Sequence, residues 1–311
     1  MASSPARTPK TTTESSGTAA YLSGRKAEVD RALDRLLPSA SAWPETLHRA
    51  IRHSLFAGGK RLRPILCLAA AEAVGGEWER VLEPACGLEM IHTYSLIHDD
   101  LPALDDDALR RGKPACHVAF GEAMAILAGD ALLTRGLGVL ASYPEEEIYA
   151  PVRARAVAAV ADAIGTAGMI GGQVADLEAE KAEAHTPDAV LGIHENKTGR
   201  LIRAALAVGG LLSFASSEDL GRLDAYGRAV GLAFQIKDDL LDVESDAAAL
   251  GKASGKDAAR GKATFPAVFG VERSRALLAE AVGEALEATG RLPRKGGRLP
   301  EVARFVAERR S

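Results

Sequence analysis

Two clusters of aspartates stand far apart in this chain. The first reads Asp99-Asp100-Leu101-Pro102-Ala103-Leu104-Asp105-Asp106-Asp107, the second Asp238-Asp239-Leu240-Leu241-Asp242. Carboxylates crowded in this way repel one another unless cations lie among them. Their hard oxygens suit Mg²⁺, which binds through one or two carboxylates and completes its shell with water and phosphate oxygens. Basic residues accompany both clusters: Arg110 and Arg111 follow the first, and Lys237 stands just before the second. Cations beside a metal site imply that the missing ligands are phosphates. The pattern points to metal-assisted chemistry on a diphosphate.

Spacing refines that reading. Asp238 and Asp242 are four apart and share a helix face, with Asp239 to the side. Asp99 and Asp105 are six apart, a spacing that a helix alone does not bring together but a turn at Pro102 could. Lys60 and Arg63 follow the Gly58-Gly59 turn, where backbone can approach a phosphate closely. Lys197, Lys252 and Lys237 lie near the second half of such a site. A single acidic run is usually solvated surface. Here each cluster ends a long apolar stretch, which a surface decoration does not need. Among the histidines, His92 and His98 are six apart with no cysteine in support, a poor zinc arrangement. No nucleophile triad and no nucleotide-binding glycine loop is present.

The elements that must carry these groups are helical. The chain has 311 residues, 47% hydrophobic and 26% charged, with only 5% aromatics and abundant Ala and Leu. That composition favours helix, and few stretches alternate like strands. Net charge is −4, from 38 basic and 42 acidic residues, which gives no support for nucleic-acid binding. Cys67, Cys86 and Cys116 are far apart and fit reduced, buried thiols of a cytoplasmic protein. Charges or polar residues interrupt every apolar run, so no membrane span is expected. Residues 1–20 are Ser/Thr-rich with Pro5 and Pro9, and read as a disordered tail before one domain over 21–311. The tail is also acid-poor like a transit peptide, but it holds a single Arg, at position 7.

Helical patterning covers 26–37 and 44–57, and Pro64 suits the first turn of the next helix. A helix from about Trp78 to His98 delivers the first cluster at its end, where Pro102 ends or bends it. Ser142-Tyr143-Pro144-Glu145 has capping-box spacing and predicts a helix start. Thr186 is an expected N-cap for a helix over about 187–213, with a kink at Gly199. Ser216-Ser217-Glu218 starts the helix of the second cluster. Residues 244–264, with Gly251, Gly255 and Gly261 among Lys252, Lys256 and Lys262, read as a mobile basic loop before a short helical tail.

In family order, several stretches resemble the trans-prenyltransferase (polyprenyl synthetase) family, specifically its short-chain farnesyl and geranylgeranyl diphosphate synthases. They are Gly58-Gly59-Lys60-Arg61-Leu62-Arg63-Pro64, Glu89 to His98 running into Asp99–Asp107, and Leu109-Arg110-Arg111-Gly112-Lys113-Pro114. Gly171-Gly172-Gln173-Val174-Ala175-Asp176, Lys197-Thr198-Gly199, Phe234-Gln235-Ile236-Lys237-Asp238-Asp239-Leu240-Leu241-Asp242 and Leu250-Gly251-Lys252 complete the set. The resemblance implies a single-domain all-α bundle around a central cavity, the isoprenoid synthase fold. It implies a homodimer using three Mg²⁺, held by Asp99, Asp105, Asp238 and Asp242. Lys60, Arg63, His92 and Arg111 would hold isopentenyl diphosphate. Arg110, Lys197, Thr198, Gln235 and Lys252 would surround the allylic diphosphate, with Gln173 and Asp176 between. Thr198, the Lys197 carbonyl and Gln235 would stabilise the allylic cation.

Four residues separate the first aspartate pair from Asp105, as in bacterial farnesyl synthases and plant-type geranylgeranyl synthases. Tyr94 and Ser95, just ahead of Asp99, would set product length, and an aromatic at 94 resembles farnesyl-forming enzymes. Geranylgeranyl diphosphate is the alternative product. Ala108 stands where relatives often carry a further aspartate, and residues 290–311 match weakly. A terpene cyclase would lack the Lys60/Arg63 site. A non-catalytic subunit of a heteromeric synthase usually loses one aspartate cluster, and this chain keeps both.

Overall fold

The computed structural model describes residues 12–180, 185–248 and 264–309. Within them the chain is helical apart from one two-stranded ribbon, in agreement with the all-α reading. Helices α1 (Thr12–Leu36), α2 (Glu45–Leu55), α3 (Leu62–Ala73) and α4 (Leu82–Asp99) come first. The ribbon pairs β1 (Leu109–Arg110) with β2 (Lys113–Pro114). Then follow α5 (Cys116–Phe120), α6 (Glu122–Ser142), α7 (Ala150–Ile164) and α8 (Met169–Ala179). A π-turn at Glu195–Gly199 joins α9 (Pro187–His194) to α10 (Arg200–Leu212). The long α11 (Ser217–Ala248), α12 (Phe265–Phe269), α13 (Val271–Gly290) and α14 (Leu299–Glu308) complete the bundle.

Helices α3, α4 and α10 bury residues all round, as central helices do. Around them lie two large apolar cores and a smaller one around Phe265. Of the large pair, one includes Leu33, Leu88, Ile91, Leu132 and Leu201, the other Leu66, Leu206, Tyr226, Leu299 and Val306. Helices α3 and α10 contribute to both of these, which joins the α4 half to the α11 half. Helix α6 lies along α4 at very short range. A Cβ on Gly87 would stand 2.8 Å from the Gly136 carbonyl oxygen, and one on Gly136 would stand 2.7 Å from that of Gly87. Two glycines thus fix the α4–α6 spacing by backbone contact.

A charged pair is built into this interior. Glu89, 1% exposed on α4, receives Arg61 Nη1 at 2.9 Å. Arg61 also donates to Asp30 at 2.8 Å and to the Leu55 carbonyl at 2.7 Å. Removing one partner of such a pair strands a buried charge, at a cost of about 3–5 kcal/mol. Arg61 therefore anchors the turn that presents its neighbours Lys60 and Arg63.

Several local expectations change. Helix α1 begins at Thr12, inside the expected tail; Thr18 is buried and donates to Glu301 of α14 at 3.2 Å, which ties the segment down. Residues 1–11 lie outside the described residues. The helix expected from Trp78 is a 3₁₀ turn, Trp78–Val81, followed by α4. Pro84 has no N–H and crowds the carbonyl four residues back, so one α-helix cannot run through. Ser142 ends α6 instead of capping a new helix. Tyr143, the residue before a proline, is extended (φ −117°, ψ 145°), and the next α-helix waits until Ala150.

Thr186 does cap α9, its Oγ1 accepting from Ala189 N–H at 3.2 Å, and the kink foreseen at Gly199 takes the form of the π-turn. Helix α11 continues to Ala248, past the expected break at 244; the rest of the basic loop, with Lys252, lies outside the described residues. Two helical stretches, Glu122–Ser142 and Glu147–Ala179, are long and apolar enough to cross a membrane by length and composition, contrary to expectation, because scattered charges do not cancel their mean hydropathies of 1.5 and 1.3. Both are built into the bundle: α6 packs on α4, and α7 on α10.

Candidate active site

Helix α4 stops at Asp99, and the chain folds back at once. Leu104 N–H donates to the Leu101 carbonyl at 2.9 Å, and Asp105 N–H to the Asp99 carbonyl at 2.8 Å. The turn at Pro102 thus brings Asp105 to the helix end. Asp100 is turned away from them, 2% exposed, and takes the Arg110 guanidinium, with Nε at 2.9 Å. Arg110 is also 3.7 Å from Asp107, so it ties the loop to the β-ribbon. At the ribbon's turn Arg111 has a φ of 53°, and its guanidinium donates to the Gly58 carbonyl beside Lys60. Burial pushes the Asp99 carboxyl up to about 6; Lys197 pulls it down and Asp105 pushes it up further.

Across the site the backbone of the π-turn carries Lys197 and Thr198. Lys197 Nζ binds Asp176 of α8 at 2.7 Å. Burial opposes its charge, but Asp176, Asp99 and Asp105 outweigh that and hold its pKa above the ordinary lysine value. Helix α8 meets the π-turn at Gly172, where a Cβ would stand 2.7 Å from Lys197 Cα. Any side chain at 172 would push Lys197 and Thr198 out of place.

The second cluster lies in the middle of α11. Asp238 Oδ1 receives Arg309 Nη2 at 2.7 Å, just past α14, and that guanidinium also covers the Phe234 ring at 4.2 Å. Burial raises the Asp238 pKa, while Arg309, Lys60 and Arg63 pull it back. Asp239 is 5% exposed and accepts the Phe265 N–H and Gln235 Nε2, both at 2.8 Å. Burial pushes it up to about 7, against those two bonds. Gln235 Oε1 in turn accepts the Thr198 hydroxyl at 3.2 Å. Asp242, one turn on, is exposed.

Between the end of α4, α8 and the π-turn lies a cavity of about 330 Å³. It gathers Arg63, His92, Tyr94, Ser95, Asp99, Gln173, Lys197 and Thr198, with Met169, Ile170, Val174 and Leu177 as its apolar wall. A second cavity, about 170 Å³, lies beside Lys60 and Arg309. Arg63 Nε and both amide atoms of Gln173 are buried with no protein partner, which marks polar groups awaiting a ligand. Burial, then the charges of Arg63 and Arg111, hold His92 well below the usual histidine pKa, so it is neutral. Burial and Arg111 lower Arg63 to about 10, which leaves it charged at neutral pH.

The donor set fits magnesium better than zinc. Among the described residues no three His, Cys, Asp or Glu side chains converge into a metal cage. Asp99 on the cavity wall, with Asp105 folded back to it and Arg63 and Lys197 alongside, offers the hard oxygens that suit Mg²⁺ shared with an anionic ligand. Sequence reasoning missed two parts of this site. The α8 wall was legible as Ile170, Val174 and Leu177 at helical spacing beside Gln173. Arg309 carried no signal, since no spacing rule links it to Asp238.

Comparison with known proteins decides the family. The polyprenyl synthetase family model matches residues 44–294. The chain belongs to that family. It is 44% identical over 289 residues to a geranylgeranyl diphosphate synthase of Cyanophora paradoxa, spanning 93% of this chain and 95% of that one. It is 40% identical to the farnesyl diphosphate synthase of Bacillus subtilis, over 93% and 97% of the two chains. A solved FPP/GFPP synthase from Zymomonas mobilis superposes with a TM-score of 0.83 at 34% identity, covering 94% of this chain and 99% of the other. The bundle is the isoprenoid synthase fold, and this family member is a prenyltransferase.

Proposed function

We propose that this polyprenyl synthetase condenses isopentenyl diphosphate with dimethylallyl and then geranyl diphosphate, releasing farnesyl diphosphate and inorganic diphosphate. The observation that carries the reading is the cavity itself. Asp99, Lys197 and Thr198 stand at its polar end, its wall is apolar, and Tyr94 lies along α4 below Asp99. Five residues of helix separate Tyr94 from Asp99, about 7.5 Å of axial rise. Tyr94 is 6% exposed and meets the His98 ring edge-on at 5.6 Å, so it is held as a floor under the growing chain.

Asp99, Asp105, Asp238 and Asp242 are assigned to three Mg²⁺, with Lys252 completing the allylic side. Bound there, Mg²⁺ would supply the charge that neutralises a departing diphosphate. Lys197 and Arg110 supply further positive charge to the allylic diphosphate. Its C–O bond breaks with the electron pair leaving on oxygen. The Thr198 oxygen and the Lys197 carbonyl are assigned to stabilise the allylic cation, backed by the Gln235 amide that binds Thr198. Lys60, Arg63, His92 and Arg111 hold isopentenyl diphosphate, whose double bond forms the new C–C bond. A proton then passes to the released diphosphate, and the double bond is restored. Gln173 and Asp176 border both subsites.

Identity to a synthase named for the twenty-carbon product keeps geranylgeranyl diphosphate as the second reading. The exposed apolar residues Ile126 and Leu127 of α6 support a homodimer, and the three buried free thiols support a cytoplasmic location. Incubation with isopentenyl diphosphate and each allylic primer, followed by product chromatography, tests the function. Wild type should stop at fifteen carbons, and Tyr94→Ala should extend to twenty or more with little loss of the first condensation. A Tyr94→Ala enzyme that still stops at fifteen, or a wild type making mainly twenty, refutes the floor.

A further inference from the structure

We propose that Asp239 is a positioning residue which, through Gln235, sets the direction of the hydrogen bond made by Thr198, and is not a metal ligand. The inference rests on the reading above in which the Thr198 oxygen faces the allylic cation.

The geometry is a chain of four groups with one polarity. It starts at a donor that cannot be reversed, the backbone N–H of Phe265, which points at Asp239 Oδ2 at 2.8 Å. In its ionised form Asp239 has no proton to give and accepts through both oxygens, Oδ2 from Phe265 and Oδ1 from Gln235. Asp239 Oδ1 therefore draws the NH₂ side of the Gln235 amide, at 2.8 Å. That leaves Gln235 Oε1 facing Thr198, which must donate its only hydroxyl proton to it, at 3.2 Å. With the proton committed, the Thr198 oxygen has its lone pairs for the cavity it lines. An oxygen presenting lone pairs stabilises a neighbouring cation; the same hydroxyl reversed would present its proton and destabilise it.

Burial places Asp239 on the far side of Gln235 from the cavity: it is 5% exposed, stands 3.7 Å from His194 Nε2, and is absent from the cavity lining. Both oxygens are occupied by protein donors. Its neighbour Asp238 is instead held by a cation, Arg309, which substrate and metal can replace.

Asp239→Asn tests the direction. The amide can satisfy Phe265 N–H with its oxygen only by turning its NH₂ toward Gln235, which must then flip and offer NH₂ to Thr198. Single-turnover rates of Thr198→Val, Asp239→Asn and the double variant should each fall about ten- to a hundredfold, with the double no worse than the poorer single. The Mg²⁺ concentration for half-maximal rate should be unchanged in Asp239→Asn, and the side-chain amide resonance of Gln235 should move in the substrate-free protein. Multiplicative losses would overturn the relay while leaving Thr198 its role, and so would a shifted Mg²⁺ dependence. A Thr198→Val enzyme at full rate would overturn the relay together with the reading beneath it. If Asp239→Asn does not fold, Gln235→Leu combined with Thr198→Val gives the same cycle, and multiplicative losses there overturn the proposal equally.

Discussion

At the end of α4, two aspartates six positions apart reach one site because the chain turns at Pro102. In the middle of α11, two adjacent aspartates serve different partners, because each helical residue is rotated about 100° from the last. The first arrangement gathers charge: burial and then Asp105 raise the cost of ionising Asp99, and Lys197 relieves only part of it. The second divides charge. Asp238 is neutralised by Arg309, and Asp239 is spent on Phe265 and Gln235. A loop can concentrate carboxylates that a helix must distribute. Equal-looking aspartates in the two clusters should therefore have unequal roles.

The strongest way to break this comparison is to remove the carboxylates one at a time. Asp99→Ala and Asp238→Ala should each lower turnover by about a thousandfold or more with the fold intact by circular dichroism. Exposed Asp242→Ala should cost roughly tenfold or less, and a loss equal to that of Asp238→Ala would show that the helix does not divide labour. Next in size is Gly172→Ala. A displaced π-turn should lower kcat about a hundredfold, with little change in KM for isopentenyl diphosphate; a normal kcat would show that the turn tolerates movement.

Arg63 couples the two halves, because it feels Asp238 while lining the α4 cavity. Losing its charge-assisted bonds in Arg63→Ala should raise KM for isopentenyl diphosphate about ten- to a hundredfold, and that of the primer much less. Equal increases would merge the two subsites into one.

The smallest effect concerns His92. Its folded-state pKa lies well below the usual value, so below pH 6.5 only the unfolded chain takes up the proton. Its share of stability is present above that pH and is lost as pH falls. Melting temperature should drop from pH 7 to 5.5, and less steeply in His92→Gln. Identical slopes would remove His92 from that pH dependence.

Much of this was legible in the sequence where local rules suffice. Thr186, Ser216 and Pro64 marked helix starts because capping and proline geometry act within a few residues. The Asp99–Asp105 approach was legible because Pro102 compels a turn. The capping-box reading of Ser142 failed because Pro144 extends the residue before it, a stronger constraint than the cap. Arg309 on Asp238 and the relay from Phe265 to Thr198 join positions remote in the chain. No periodicity encodes such contacts; they follow only once α11, α12 and α14 are packed. The type of the site was readable, while the division of labour inside it was not.

The Gly87–Gly136 contact has an evolutionary corollary. With α4 locked against α6 by backbone, a smaller side chain at position 94 cannot be compensated by the helices drifting together. The volume released stays in the cavity and is available to substrate. If Tyr94 is the floor proposed above, a lineage carrying this fold changes the length of its product through a single codon while the rest of the catalytic apparatus stays where it was.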